Sequence, residues 1–567
     1  MRAYQRFALL ALSAGLLAAC GKPSTTSDSA PLAYAPADTP YAYGNLEPLP
    51  AAVTEQWSKH LQDYLPEMLG IYDHLLDKAD KDAKPEDAEL IKTLRVLLGE
   101  LKSHPNWDKL REIGLKPDGL MAFYGVGLVP VLRLELGDPA KFRAEIANIE
   151  TQLGRKLTVS KTGAQEYWQL GSSEAACAIA IEGNQLVVTV VPTNGDDALK
   201  QALLGVTKPA QSLAAAGTLD QLRGQYKFSQ YGTGFVDFVR LTERLSSGPT
   251  GTDAAFAKAV GLPLPPPTDA QCKADYLDLA HHFPRIVLGA SELSAQRMDI
   301  RVQLEIETVL AGEIAAAFGA APGTGAPADG IMDVALSLPL LKLKDFWIKQ
   351  ADKIAAKPFT CAQLTKLNDS YRDSKQKVDV TVPPPASDLT GLRFTLDGFE
   401  MATAPSALPD VHAKLLMATN NPGGALAMAQ LAIPPLKDLK LAPDGKAVAL
   451  PAGLVPAPNA PPMFAAMSDK AIAIAAGSGE DASLSAYLSA PPASESVFLR
   501  MTFSGKLYGV ILHSMDKMSA MMPAEQQAEF AQQKKLFELY EKWLKRGEIS
   551  LIATPTGIAL REVIEQN

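Results

Sequence analysis

The histidines are the first side chains to consider, because imidazole is both a metal ligand and a base near neutral pH. The chain has seven of them, and none is spaced as His-x-x-x-His or His-Glu-x-x-His, the spacings that place zinc ligands on one helix face. His281 and His282 are adjacent and precede Pro284. Adjacent side chains diverge on strands and helices alike, so these two histidines are poorly placed to bind one metal ion. A polar turn is the favoured interpretation of this stretch. The sequence predicts no metal site and no cofactor.

Nucleophiles are equally sparse. The chain contains no Gly-x-Ser-x-Gly elbow, no phosphate-binding loop and no dinucleotide fingerprint, which are the motifs that identify the common hydrolases and nucleotide enzymes. Ser504 is close to Lys506, but the pattern places it in a turn between two strands. A catalytic pair of carboxylates that face each other across a cleft has no characteristic spacing in the sequence. The sequence therefore predicts a protein that is not an enzyme, and a hydrolase with dispersed carboxylates is a weaker alternative.

One methionine cluster has the spacing of a helix face. Its members are three, three and one residues apart: Met515, Met518, Met521 and Met522. Flexible thioether side chains suit an adaptable apolar surface. This face either contacts an acyl chain or a partner, or packs on a sheet as core, and core packing is the favoured interpretation.

Four cysteines occur, at positions 20, 177, 272 and 361. Cys177 lies in an apolar run that predicts a buried strand, where a thiol behaves as a small apolar side chain. Cys272 and Cys361 each open a polar, helix-like stretch, and we predict that they form a disulfide. Such a bridge would contribute roughly 2–5 kcal/mol to stability.

The N-terminus has the layout of an export signal. Arg2 and Arg6 are followed by the uncharged stretch 7–19, which is shorter than the roughly 20 residues that a membrane span needs. A basic start, a short apolar core and small residues indicate a secretory signal. This one ends in Leu17-Ala18-Ala19-Cys20 and resembles the lipobox of bacterial lipoproteins. An ordinary signal peptide with an incidental cysteine is the alternative.

The resemblance implies a lipid anchor and a location in the cell envelope. In bacterial lipoproteins the cysteine is diacylated, the peptide is cut before it and the new N-terminus is acylated. Cys20 would then be the first residue of the mature chain, and several acyl chains hold a protein on a membrane where one does not. Gly21 stands where an aspartate would favour retention in the inner membrane, so the outer membrane of a Gram-negative bacterium is expected, with the protein facing the periplasm.

The net charge of the chain argues against some classes of binding partner. The formal net charge is −9, and loss of Arg2 and Arg6 with the signal peptide makes it −11 by subtraction of two positive charges. An acidic chain without a basic run argues against nucleic acid as a partner and against anionic lipid as the main one. The expected partners are the membrane, through the anchor, and an envelope protein or lipid.

The order of predicted elements repeats once along the chain. Residues 414–422 align without gaps on residues 131–139, and both stretches end in a helix-capping residue and a proline, Asp138-Pro139 and Asn421-Pro422. Together with this match, five matches occur in the same order at an offset of about 285 residues, which favours an internal duplication. Two unrelated halves with generic patterns are the alternative.

The predicted fold is α+β, with two related halves that each have an antiparallel sheet and helices packed on one face. The predicted segments are a signal peptide (1–19), a flexible tether (20–40), a first half (41–319), a linker (320–330) and a second half (331–567). The layout resembles uncharacterised bacterial envelope proteins with duplicated units. The expected function is a non-catalytic binding or scaffold module in the periplasm, and a carrier or sensor of an apolar ligand such as a lipid acyl chain is the alternative.

Overall fold

The computed structural model describes residues 30–81, 88–171, 174–263, 266–400, 408–452, 454–455, 460–519 and 524–567. The described chain is mixed helix and strand with extensive antiparallel pairing. It forms two compact units: unit 1 contains the residues up to Ala280 with Pro284–Ile300 and Ala524–Leu539, and unit 2 contains His281–Phe283, Arg301–Pro523 and Tyr540–Asn567. Within the described ranges, none of the helices combines the length and the hydropathy that a membrane span requires.

Nine antiparallel strands occur in the described residues of unit 1. They are β1 Tyr41–Gly44, β2 Met121–Val126, β3 Val129–Glu135, β4 Thr158–Thr162, β5 Gln165–Gly171, β6 Ala175–Glu182, β7 Gln185–Pro192, β8 Thr233–Asp237 and β9 Arg285–Leu293. Their pairings give the order β4-β5-β6-β7-β3-β2-β1-β8-β9. The next strand, β10 (Arg297–Glu305), contains the boundary between the units.

Helices cover both faces of the unit 1 sheet. They are α1 Ala51–Lys81, α2 Ala88–Ser103, α3 Trp107–Glu112, α4 Pro139–Leu153, α5 Asp197–Leu204, α6 Leu213–Ala216, α7 Thr218–Tyr226, α8 Phe238–Ser246, α9 Gly251–Ala259 and α10 Ala270–His282. Ala178 packs in a core with α5 to α7, and its neighbour Ile179 packs in a second core with α4. The prediction of helices on one face is therefore wrong for unit 1, because both sides of these strands are apolar and both must be covered.

The segment after Ala30 belongs to the fold of unit 1, which differs from the predicted tether. Pro31–Tyr34 form a turn of 3-10 helix, and Leu32, Tyr34 and Ala35 are buried. The guanidinium of Arg133 lies 3.6 Å from the centre of the Tyr34 ring. The Ser, Thr, Ala and Pro of residues 22–40 predict a stretch that cannot bury enough apolar surface to order itself. The part from Ala30 onwards nevertheless docks on a core that the rest of the unit supplies.

The part of unit 2 that the structure describes contains a second set of nine antiparallel strands. They are β11 Met332–Ser337, β12 Leu389–Glu400, β13 Asp410–Thr419, β14 Val448–Ala449, β15 Met463–Met467, β16 Ala471–Ala476, β17 Ser496–Ser504, β18 Leu544–Thr554 and β19 Gly557–Gln566. Their pairings give the order β14-β15-β16-β13-β12-β11-β17-β18-β19.

The remaining helices are α11 Thr308–Phe318, α12 Leu340–Ala356, α13 Thr365–Val378, α14 Pro422–Ala432, α15 Asp481–Ser489, α16 Gly505–Ser519 and α17 Ala524–Trp543. Leu484, Tyr487 and Leu488 of α15 pack in a core with Ala473 and Leu416 of the sheet. The side chain of Asn421 caps α14 by accepting a hydrogen bond from the amide of Gly424, as the Asn-Pro sequence predicts.

The predicted linker, residues 320–330, is an ordered loop inside unit 2. Ala321 and Ala328 are buried, and the amide of Ala321 donates to the carbonyl of Val497. Thr324 accepts a hydrogen bond from the amide of Ala493 through its hydroxyl. The small residues that suggested flexibility allow the backbone to lie close to the sheet, since a Cβ on Gly323 would stand 2.3 Å from a nitrogen of Arg393.

Candidate functional site

In the paired segments of the five adjacent strands β16, β13, β12, β11 and β17, buried residues largely alternate with residues that keep part of their surface accessible. Their sheet therefore has two distinct faces. On β11, for example, Asp333 and Ala335 point to one side and Val334 and Leu336 to the other. We call the first side the closed face, because its residues are buried. We call the second side the open face, because its residues keep part of their surface accessible.

At its centre the closed face contains a cluster of three charged groups that solvent hardly reaches. Asp333 is 0% exposed, Arg393 4% and Arg500 5%. Ala335 pairs with Arg393 on one neighbouring strand and with Arg500 on the other, so the two arginines flank the centre strand on the same side. An unpaired charge in such a position would be strongly destabilising, and the surrounding contacts must therefore compensate the three charges.

Asp333 is held between the two guanidinium groups. Arg393 donates from Nε to Oδ2 of Asp333 at 2.9 Å, and its Nη2 lies 2.8 Å from the same oxygen. Arg500 Nη2 lies 3.4 Å from Oδ1. Arg500 also donates to the carbonyls of Thr324 and Ala326 at 2.6 and 3.0 Å. Burial lowers the pKa of Arg500, although Asp333 opposes that effect.

A second ion-pair group lies on the closed face beside this triad. Lys414 Nζ lies 2.6 Å from a carboxylate oxygen of Asp397 and 2.6 Å from one of Glu480. Burial alone would lower the pKa of Lys414, but the two carboxylates raise it overall. Glu480 also contacts Nδ1 of His412 at 3.1 Å. Despite its burial, the pKa of Glu480 is lowered, because Lys414 and His412 stabilise its charged form.

Tyr487 of α15 joins the two groups. Its hydroxyl donates to the carbonyl of Arg393 at 3.0 Å, and the guanidinium carbon of Arg393 lies 4.5 Å from its ring centre. Burial raises the pKa of Tyr487, so it remains a neutral donor at physiological pH. The closed face thus balances its positive and negative charges with internal partners. This arrangement stabilises the fold, and because these charged groups already contact one another, they are poorly placed to bind a ligand.

The open face is apolar without interruption. Each of the five strands contributes three side chains, and every one of the fifteen is a hydrocarbon or thioether. They are Met332, Val334, Leu336, Leu392, Phe394, Leu396, Ala413, Leu415, Met417, Ile472, Ile474, Ala476, Leu499, Met501 and Phe503. The register places them in three rows across the sheet, and the middle row runs Ile474, Leu415, Phe394, Val334 and Met501.

These fifteen side chains keep part of their surface accessible. None falls among the fully buried residues, and Leu415, in the middle row, is 45% exposed. Charged residues are almost never fully buried unless paired, and large exposed apolar patches mark interaction sites. The sheet therefore buries its charged side and leaves its apolar side accessible, which is the reverse of what an ordinary half-buried sheet does.

Known proteins offer no guide to this arrangement. No protein-family model matches the chain, and neither a curated protein nor a solved structure is similar to it. The open face must therefore be interpreted from its own chemistry. In the described ranges, no group of three or more His, Cys, Asp or Glu side chains is placed to hold a metal ion.

The residues singled out from the sequence are dispersed. Cys20, Met521 and Met522 lie outside the described residues, and Met518 is on α16 with a side chain that is also outside them. Met515 is buried and offers no surface to a ligand. Ser504 ends β17 and is followed directly by α16 rather than by a second strand, so its predicted setting in a hairpin turn is wrong.

The cysteines divide into two kinds. Cys272 and Cys361 are buried, and each is disulfide-bonded, whereas Cys177 is a free thiol on β6. Burial raises the pKa of Cys177 to about 11. The predicted pairing of Cys272 with Cys361 stays a prediction that peptide mapping without reductant tests.

The alternation that produces the open face is visible in the sequence, but it does not show which side of the sheet is covered. The alternation in Arg393-Phe394-Thr395-Leu396 and in Arg500-Met501-Thr502-Phe503 indicates strands with one polar side. Such alternation normally places the apolar side in the core. Only the contacts between Asp333, Arg393 and Arg500 show that the polar side is the buried one.

Proposed function

We propose that this protein is a lipid-anchored envelope lipoprotein that acts as a binding module, without catalysis, through the open face of unit 2. The observation that carries the proposal is the reversed polarity of the central sheet. Keeping fifteen apolar side chains partly in contact with water costs about 25 cal/mol for each Å² of apolar surface. A sheet with this accessible apolar surface on one side and the three buried charges on the other is suited to binding an apolar ligand.

The composition of the face favours an acyl chain over a protein partner. Protein interfaces contain on average about 57% non-polar area and make about one hydrogen bond per 100–200 Å². The open face has no polar side chain among its fifteen residues, and its backbone amides and carbonyls are engaged in strand pairing. Met332, Met417 and Met501 add side chains that adapt to an irregular ligand. A carrier or sensor of acyl chains is thus the second candidate function.

The anchor is the part of the proposal that rests on sequence. Lipid on Cys20 would place the mature protein on the membrane, and Gly21 favours the outer membrane. Metabolic labelling with a palmitate analogue tests this, with Cys20→Ser as the control that should lose the label. Label that persists in Cys20→Ser would contradict the anchor without touching the binding proposal.

A further part of the proposal is that the two units arose by duplication. In unit 1 the order β6-β7-β3-β2-β1-β8-β9 corresponds position by position to β15-β16-β13-β12-β11-β17-β18 in unit 2. The helix after β3 and the helix after β13 also start with the same capping residue and proline pattern, Asp138-Pro139 and Asn421-Pro422. An experimental structure in which the two strand orders differ would contradict the duplication.

Native mass spectrometry of the gently purified mature chain tests the ligand. A bound lipid mass that is lost in Leu415→Gln supports the acyl-chain function. Leu341→Gln is a matched control, because Leu341 of α12 is also 45% exposed but is not on the sheet. If wild-type protein carries no lipid and does not bind a pyrene-labelled C16 fatty acid, the acyl-chain function is wrong. Equal retention by both variants would show that the open face is not the site.

A further inference from the structure

The three rows of the open face continue onto the next two strands of unit 2, β18 and β19. In the middle row Met501 pairs with Ile549, and Ile549 pairs with Glu562. The two outer rows gain four further residues, none of them charged: Leu551, Leu560, Gly547 and Ile564. The structure describes every residue of these rows, and Glu562 is the one ionisable residue in them.

The Glu562 side chain is exposed to solvent and its charge is not compensated. Its neighbour across the strands, Ile549, is apolar, and within the described ranges Glu562 makes no ion pair. A carboxylate in this setting repels a second carboxylate and attracts a cation. The apolar rows bind chains of any headgroup, so Glu562 distinguishes between ligands by the charge of the headgroup.

Three aromatic residues, Phe503, Tyr508 and Tyr540, form an aromatic group on the same part of the open face. The Phe503 ring lies over Gly547, because a Cβ at Gly547 would stand 2.5 Å from a ring carbon. Tyr508 of α16 meets the Phe503 ring edge to face, with ring centres 6.4 Å apart, and Tyr540 of α17 stacks on Tyr508 at 5.1 Å. All three residues keep part of their surface accessible, and the faces of such rings attract ammonium groups.

The aromatic group and Glu562 are close together. Gly547, under the Phe503 ring, pairs with Ile564, which is two residues from Glu562 on the same side of β19. One strand spacing and two residues along the strand separate the Cα atoms of Gly547 and Glu562 by roughly 8 Å. Gln566 follows on that side, and its buried Oε1 has no hydrogen-bond donor among the described residues. An ammonium group can supply such a donor.

We propose that the open face binds an acyl lipid whose headgroup carries an ammonium group, with the ammonium held between Glu562 and the aromatic group. This inference rests on the proposed binding function of the open face and names the class of its ligand. The apolar rows contact the acyl chain, and Glu562 contacts the headgroup, so different residues recognise the two parts. The formal net charge of −9 acts in the same direction, because an acidic chain repels anionic lipids.

The test compares three pyrene-labelled C16 ligands that differ only in the headgroup: an amine, an alcohol and a carboxylic acid. The parent chain is the mature chain from residue 20 with Cys20→Ser, so that no attached acyl chain competes. At low salt and neutral pH it should bind the amine about tenfold more tightly than the acid, with the alcohol between them. The difference should narrow at high salt, because the headgroup contact is exposed to screening.

Glu562→Gln removes the charge and keeps the shape of the side chain. This variant should bind the amine and the acid with affinities within about twofold of each other, and its affinity for the alcohol should not change. Glu495→Gln is the matched control, because Glu495 is an exposed glutamate in the loop before β17 and its replacement changes the net charge equally. It should keep the preference of the parent chain for the amine.

Two further measurements examine the aromatic group and the natural headgroups. Tyr508→Leu keeps an apolar side chain but removes a ring face, and it should weaken binding of the amine about threefold and leave binding of the acid unchanged. Lysophosphatidylethanolamine, which has an ammonium group, should displace the labelled amine from the parent chain at lower concentrations than lysophosphatidylglycerol, which has none.

The outcomes separate this inference from the function on which it rests. Equal affinity of the parent chain for the amine and the acid, or a preference for the amine that survives in Glu562→Gln, would overturn the headgroup assignment and leave the acyl-chain function standing. Loss of the preference in Glu495→Gln would also overturn it, because net charge would then explain the selectivity. If none of the three ligands binds, the acyl-chain function itself is wrong.

Discussion

Arg393 and Phe394 are consecutive residues of β12, and the charged one is buried while the aromatic one keeps part of its surface accessible. Arg393 can be buried because Asp333 accepts from it at 2.9 Å and Tyr487 packs against its guanidinium. Phe394 lies between Val334 and Leu415 on the other side. This pair shows in two residues how the sheet keeps its apolar side available.

Removing apolar surface from the open face should weaken ligand binding without unfolding the protein. Leu415→Gln and Ile474→Gln together are expected to reduce affinity for a pyrene-labelled C16 fatty acid by about tenfold or more. The side chains are already partly solvated, so the free energy of unfolding should change by less than about 1 kcal/mol. Fluorescence titration and urea unfolding measure the two quantities. A large loss of stability with unchanged affinity would mean that the face is core.

The closed face should respond in the opposite way. Asp333→Ala leaves Arg393 and Arg500 buried without their shared carboxylate and is expected to lower the free energy of unfolding by about 3–5 kcal/mol. Asp397→Ala is the control: Asp397 is 30% exposed and Lys414 keeps Glu480 as a partner, so its cost should be about 1 kcal/mol or less. If Asp333→Ala and Asp397→Ala lower the free energy of unfolding in urea equally, burial does not increase the contribution of the triad to stability.

Several elements could be predicted from local sequence alone. Asp138 caps α4 and Gly154 ends it in the left-handed conformation, as the Asp-Pro start indicates. The apolar alternation around Ile300 gives β10. Local signals failed where tertiary contacts decide: residues 507–512 look like a strand, yet they form the start of α16. Pro66 was expected to kink or restart a helix, yet α1 runs through it.

The candidate site could not be predicted from the sequence. The alternation on β11 and β17 shows two faces, but it cannot show which one is covered. That choice depends on the loop at residues 320–330, whose carbonyls accept from Arg500. A stretch of Ala, Gly and Pro carries no local sign of this role, because its contribution comes from backbone groups rather than side chains.

The start of the described chain should behave as part of the core of unit 1. Tyr34→Ala removes a buried ring that stacks on Arg133 at 3.6 Å and is expected to cost about 3 kcal/mol. A chain that begins at Ala30 should be as stable as the mature protein, whereas one that begins at Tyr41 should be much less stable. Thermal unfolding of the three forms measures this. Equal stability of all three would support a flexible tether up to residue 40.

The free thiol should be unreactive in the folded protein. Burial raises the pKa of Cys177 to about 11, so the reactive thiolate is a minute fraction at neutral pH. Alkylation by iodoacetamide should be slow when the protein is folded and fast in denaturant. In the denatured, unreduced mature chain a thiol assay should count one group, because the proposed lipid would block Cys20 and because Cys272 and Cys361 are disulfide-bonded. Rapid alkylation of folded protein would contradict the raised pKa of Cys177.

Acid should weaken the contact between α11 and α12. Burial would raise the pKa of Glu313, but hydrogen bonds from Lys353, Gln350 and Lys349 outweigh it and lower the pKa to about 2. A carboxyl whose pKa is lower in the folded state contributes stability above its unfolded pKa, near 4.3. That contribution is lost as the pH falls from there towards 2.

Glu313→Gln is therefore expected to lower the free energy of unfolding at neutral pH by about 1 kcal/mol, a figure that allows for solvent screening of the partly exposed lysines. Near pH 2 the difference between the variant and the parent chain should shrink to a few tenths of a kcal/mol, because the parent carboxyl is then about half protonated in the folded state. Thermal unfolding across this range measures the difference. Lys353→Met, alone and combined with Glu313→Gln, isolates the pair, and a difference that persists undiminished at the lowest pH would assign the effect to packing rather than charge.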